Sequence, residues 1–159
     1  MIPLVYLASK KPEAKLFPGD ARSQAEVMRW LFWEGTQWDL ACDILITERL
    51  KKRFFNVGQS GRRTGGQTAT PQPPDPQRIE EGERSIRELA EVLDAHLVSR
   101  TWLLGDQLTI ADFALGAWMP SAVPAGLPLA GCQAINNWYK RLSGLPGWQE
   151  SIVMPPSQS

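Results

Sequence analysis

The sequence predicts an all-α fold, a helical bundle of about five helices behind a short helical stub. Three observations predict it. Apolar residues recur at helical spacing over long stretches, as in Met28, Leu31, Phe32, Trp38, Cys42 and Leu45. Helix-start signals precede the stretches: Asp20, the Asp75-Pro76 pair, and Thr109. No segment alternates as a strand would, and no internal repeat appears. A chain of 159 residues suits one domain with a real core.

The stub, residues 2–9, is short and apolar, and Pro3 is tolerated in its first turn. Pro12 and the Pro18-Gly19-Asp20 turn end it. Asp20 then caps a long helix expected over 21–55. Its apolar residues form more than one stripe, because Val27, Trp30, Trp33, Leu40 and Ile44 make a second set. A helix apolar on two sides needs cover on two sides: the domain core, and a partner, another domain or a ligand. Gly35 weakens this helix at its middle and is a candidate bend.

Residues 58–74 lack periodicity and are rich in Gly, Thr, Gln and Pro, the composition of a mobile surface loop. They contain no GxxxxGK[ST] phosphate loop. Asp75 and Pro76 restart the helix as N-cap and first position. Ile79, Ile86, Leu89, Ala90, Leu93 and Leu97 then form one apolar stripe. In LTIADF, Thr109 and Asp112 have capping-box spacing, with Asp in place of Glu or Gln. Leu108 and Phe113 flank the box as a hydrophobic staple. This helix should reach about Ala122, with a kink at Pro120. A further helix is expected over 132–142, packing Ile135, Trp138 and Leu142, followed by a turn that tucks in Trp148. The tail from Pro155 should be loose.

Composition narrows the function. There are 17 basic and 17 acidic residues, so no broad charged surface for nucleic acid or membrane is expected. No membrane span or signal peptide is visible, and the few cysteines fit a reducing, cytoplasmic setting. Cys42 and Cys132 form no CxxC and His96 is the one histidine, so no metal site is expected. The paired acids Glu80-Glu81 and Glu88/Glu91 read as a solvated face. Arg49, Lys51, Lys52, Arg53, Arg62 and Arg63, beside Phe54 and Phe55, form a basic cluster; basic residues also belong at a helix end, and nucleic acid is the weaker reading. Cys132 near a helix start is a candidate reactive thiol, with a packed residue the stronger reading. Asp112 is the sharpest single signal, and its derived role is structural.

Four segments together resemble the all-helical C-terminal domain of the glutathione S-transferase family: LFPGDARSQAEVMRWLFW, LAEVLDAHLVSRTWLLGD, LTIADF and INNWYKRLSGLPGW. Their order and spacing cover nearly the whole chain. The resemblance implies that residues 1–19 are the last helix and linker of a thioredoxin-like N-terminal domain. Residues 20–154 are then the helical domain and 155–159 the tail. In the family the N-terminal domain holds glutathione and activates its thiol. The glutathione-gripping acidic-Ser pair would fall before Met1, so no catalytic residue is expected within this sequence and no cofactor beyond the family's glutathione. The resemblance also implies a hydrophobic substrate cleft near Glu34, Trp38, Ala117 and Ser121. It implies a homodimer through the faces of 21–55 and 77–97. The leading expectation is a truncated or single-domain family member that binds apolar ligands or a partner and does not conjugate glutathione alone. The alternatives are a helical half served by a separate thioredoxin-like partner, and a protein-interaction module.

Overall fold

A computed structural model describes residues 2–52 and 73–151, and among them there are helices and turns but no strand. We label the helices α1 (Ile2–Lys10), α2 (Ala21–Trp33), α3 (Asp39–Ile46), α4 (Pro76–Leu97), α5 (Ile110–Gly116), α6 (Ala122–Ala125), α7 (Gln133–Ser143) and α8 (Pro146–Ser151). Most of the loop expected over 58–74, the end of the long helix at 53–55 and the tail lie outside the described residues.

The expected long helix is helical throughout its described part, but not uniformly. Wider π turns at Glu34–Trp38 and Thr47–Lys51 follow α2 and α3. Gly35 sits inside the first of them. The Thr36 hydroxyl donates to the Phe32 carbonyl at 2.7 Å, a back-bond that competes with the regular ladder. Asp20 caps α2 by accepting from the Ser23 N–H at 2.9 Å.

The two apolar sets read from the sequence do not survive as two faces. Val27, Trp30, Leu31, Trp38, Cys42 and Leu45 are buried together, whereas Met28, Phe32 and Leu40 are exposed. The inserted π turns rotate the later residues relative to a uniform 3.6-residue winding, so a fixed period mixes the faces.

α4 matches its expected stripe: Ile86, Ala90, Leu93 and Leu97 are buried and Ile79 and Leu89 half-buried. It crosses α3 at Gly82, where an added Cβ would stand 2.9 Å from Ile44 and Leu45 side-chain atoms. α7 covers the other side with Ile135, Trp138 and Leu142.

The helix expected from Thr109 to about Ala122 is interrupted. It ends at Gly116, continues as a 3₁₀ turn at Met119–Ser121 containing Pro120, and resumes as α6. Proline cannot donate to the preceding turn, which ends the α-helical ladder rather than merely kinking it.

Candidate functional site

The chemistry-bearing positions gather around the start of α5. Asp112 is fully buried, and its carboxylate meets four donors. One oxygen accepts from the Leu103 N–H at 3.0 Å and the Trp138 indole N–H at 2.9 Å. The other accepts from the Thr109 N–H at 2.9 Å and the Thr109 hydroxyl at 3.2 Å. The capping box therefore closes, with the Thr109 hydroxyl also serving as a donor to Asp112. The next orphan donor, the Ile110 N–H, goes to the Leu16 carbonyl at 3.0 Å. This hub ties the linker, the turn before α5, and α7 to one point. Burial raises the Asp112 pKa above the ordinary carboxylate value, against the downward pull of its donors. Leu108 and Phe113 are half-buried against the core.

Beside the hub lies an apolar groove of about 420 Å³. Leu4, Leu7 and Ala8 of α1 form one wall, Ile110 and Phe113 of α5 and Trp148 of α8 the other. Lys11 is the one charged residue among its lining. Tyr6 and Leu7 expose more than half their surface, 58% and 62%, so α1 presents apolar area to its surroundings. The volume falls in the range of small-molecule sites.

The four positions assigned to a substrate cleft come together only in part. Glu34, in the first π turn, accepts from the Trp118 indole N–H at 3.1 Å, which joins that turn to the segment after α5. Burial raises the Glu34 pKa, partly opposed by Trp118 and reinforced by Asp39. Ala117 is exposed and Ser121 half-buried. Trp38 is fully buried, with its ring 5.8 Å from that of Trp33. It is a core residue, and none of the four lines the apolar groove.

Other candidates resolve into packing. Burial pushes the Cys42 thiol far up, and Cys132 is also raised, by burial and by Asp94 and Glu91; neither is poised as a thiolate. Within the basic cluster, Arg49 bonds Glu83 and the Ala125 and Gly126 carbonyls, Lys51 bonds Asp43, and Lys52 pairs with buried Glu48 at 2.6 Å. Arg53, Phe54, Phe55, Arg62 and Arg63 lie outside the described residues. No cluster of metal-ligating side chains occurs among the described residues, and none of their helices is long and apolar enough to cross a membrane.

Two contacts escaped sequence reasoning. Asp94 of α4 accepts from the Ile135 N–H at 2.9 Å, capping α7 where Cys132 supplies no side-chain bond. The groove escaped because its walls are separated by about a hundred positions; its only trace is the apolar stub itself.

Comparison with known proteins now becomes informative. Residues 76–141 match the model for the glutathione S-transferase C-terminal domain. The chain is 26% identical over 145 residues to FtsZ-localized protein A of Caulobacter vibrioides (strain NA1000 / CB15N), covering 90% of this chain and 58% of that protein. It is 26% identical over 154 residues to the disulfide-bond oxidoreductase YfcG of Escherichia coli (strain K12), covering 94% of this chain and 60% of that protein. The chain thus spans about three fifths of the length of these relatives. A crystal structure of a glutathione S-transferase from Rhodospirillum rubrum F11 superposes with a TM-score of 0.77 at 25% identity, over 97% of this chain and 64% of that one. Residues 76–141 thus match the glutathione S-transferase C-terminal domain, in a chain whose described fold is similar to that of a solved glutathione S-transferase.

Proposed function

We propose that this chain is a binding domain for apolar ligands, built on the glutathione S-transferase C-terminal fold, and that the groove between α1, α5 and α8 is its site. One observation carries the reading: the groove of about 420 Å³ is walled by aliphatic and aromatic side chains, with Lys11 the one charge among the described lining residues. Burial of apolar surface there supplies roughly 25 cal/mol per Å². Because the resemblance assigns thiol activation to a thioredoxin-like domain, these 159 residues assayed alone should not conjugate glutathione.

Titration with a neutral apolar fluorophore tests the site. We expect saturable binding that quenches Trp148 and is lost in Ala8→Trp, which fills the groove. Binding untouched by Ala8→Trp would remove this site. Robust conjugation of an electrophilic aromatic by the purified chain would remove the second claim.

A second reading is favoured by the relatives' unmatched length. The same groove would then seat a thioredoxin-like domain, on this chain or a separate one. Such a domain from a relative, added in trans, should displace the fluorophore; failure to displace it counts for the small ligand.

A further inference from the structure

A second hollow, of about 360 Å³, lies where the first turns of α2, the last turn of α4 and the turn at 102–107 converge. Its polar lining is Arg22, Ser23, Glu26, His96, Arg100 and Gln107, and half-buried Leu104 supplies an apolar wall above the buried Leu103. Glu26 is already engaged by Arg29, at 2.8 and 3.1 Å. Arg22 and Arg100 have no acidic partner among the described residues. Arg100 spends one nitrogen on the His96 carbonyl at 2.6 Å. Arg22 and Arg100 therefore face the hollow beside a glutamate whose carboxylate is bonded by Arg29.

The nearby acids Asp20 and Asp106 accept local hydrogen bonds and form no ion pair with Arg22 or Arg100. Asp20 accepts from the Ser23 N–H, and Asp106 from the Thr101 hydroxyl at 3.0 Å. From α7, Arg141 adds a further cation, donating to the Arg100 and Thr101 carbonyls. His96 donates from Nε2 to the Leu103 carbonyl at 2.9 Å, and its ring lies 4.6 Å from that of Trp30. Burial first, then Arg100 and Arg29, push the His96 pKa down, with Glu26 opposing.

We propose that this hollow binds a small phosphate ester, with Arg22 and Arg100 gripping the phosphate and Leu104 receiving the organic part. Guanidinium groups match phosphate oxygens in bidentate geometry. A phosphomonoester carries about −1.5 to −2 charge near neutrality, enough to engage both guanidinium groups. The hollow is larger than a phosphate alone requires and lies at the small end of ligand sites.

His96, the chain's one histidine, gives a single-resonance test. The imidazole is followed by NMR while phenyl phosphate is added at constant ionic strength, with sodium chloride as control. A bound anion neutralises the arginines that depress His96, so its pKa should rise by about half a unit or more. By linkage His96 protonation favours the bound anion, but the ester's own second ionisation lies at pH ~6, so affinities are compared at one fixed pH. Arg22→Ala and Arg100→Ala should each weaken binding about tenfold or more. Both arginines are exposed, so Arg22→Ala should keep the helical circular dichroism of the parent. An unmoved His96 pKa, or unchanged affinity in folded Arg22→Ala, would overturn the proposal. So would binding to phosphatidic acid vesicles without any to phenyl phosphate, which would mark a membrane contact instead.

Discussion

At the scale of single residues, Asp112 concentrates the most consequence. Its two oxygens serve four donors from three places in the chain, all away from water. Removing the carboxylate in Asp112→Ala leaves the Leu103 and Thr109 N–H groups and the Trp138 indole without acceptors. Each buried unsatisfied donor costs about 1–3 kcal/mol, so a loss of about 3–5 kcal/mol is expected by urea unfolding. Asp112→Asn keeps one carbonyl acceptor and should lose less. The pH dependence follows from the raised folded pKa. The folded state holds the proton more tightly than the unfolded chain, whose carboxyl titrates near ~3.9. This group's contribution is therefore full below that value and declines as pH rises through the folded pKa. The margin of the parent over Asp112→Asn should be greatest in acid and smaller at neutral pH. A margin that grows toward neutrality would show that the four donors outweigh burial.

At the scale of elements, two glycines separate packing that can yield from packing that cannot. A Cβ on Gly116 would stand 2.2 Å from Leu142 Cδ2 and 3.1 Å from Trp148, where α5 is pressed between α7 and α8. Gly116→Ala should destabilise by about 2–3 kcal/mol through overpacking. At Gly82 the contacts are longer, 2.9 Å to Ile44 Cγ2 and Leu45 Cδ2, and the helix gains about 1 kcal/mol of propensity from Ala. Gly82→Ala should change stability by less than about 1 kcal/mol. Paired thermal melts of the two variants check the contrast. The same packing explains what the sequence could and could not disclose. Caps at Asp20, Asp75 and Thr109 were legible because each bonds within three residues of itself. The α4 stripe was legible because nothing interrupts its winding. The π turns after α2 and α3 were not, since one extra residue per turn leaves no mark in composition. The family resemblance implies a cleft near Trp38, while an aromatic on a long helix looks the same in sequence whether it faces a ligand or a core. Its zero exposure follows from long-range packing that spacing cannot encode.

At the scale of the whole molecule, the α3–α4 face presents an apolar area to its surroundings. A shallow groove of about 240 Å³ runs between the helices, with Leu40, Ile44 and Leu89 among its lining. Leu40 is 59% exposed, and Val92 of α4 is 56% exposed. These residues fall within 21–55 and 77–97, the stretches through which the resemblance implies a homodimer. We propose that a second copy covers this face. The surrounding charges suit a two-fold contact, because α4 interleaves acids and bases, Glu80, Glu81, Arg84, Arg87, Glu88 and Glu91, rather than carrying one sign. Two copies related by a two-fold axis bring the same patch to itself, so one substitution is introduced twice at the interface. Leu40→Asp and Val92→Asp should each shift the sedimentation mass from dimer to monomer. Both positions are exposed within one chain, so the monomer should keep its helical circular dichroism. The groove beside α1 lies on other elements, and its affinity for an apolar fluorophore should be unchanged in these variants. Retention of the dimer in both would move the contact to another surface, with the exposed Met28 and Phe32 of α2 the next pair to substitute.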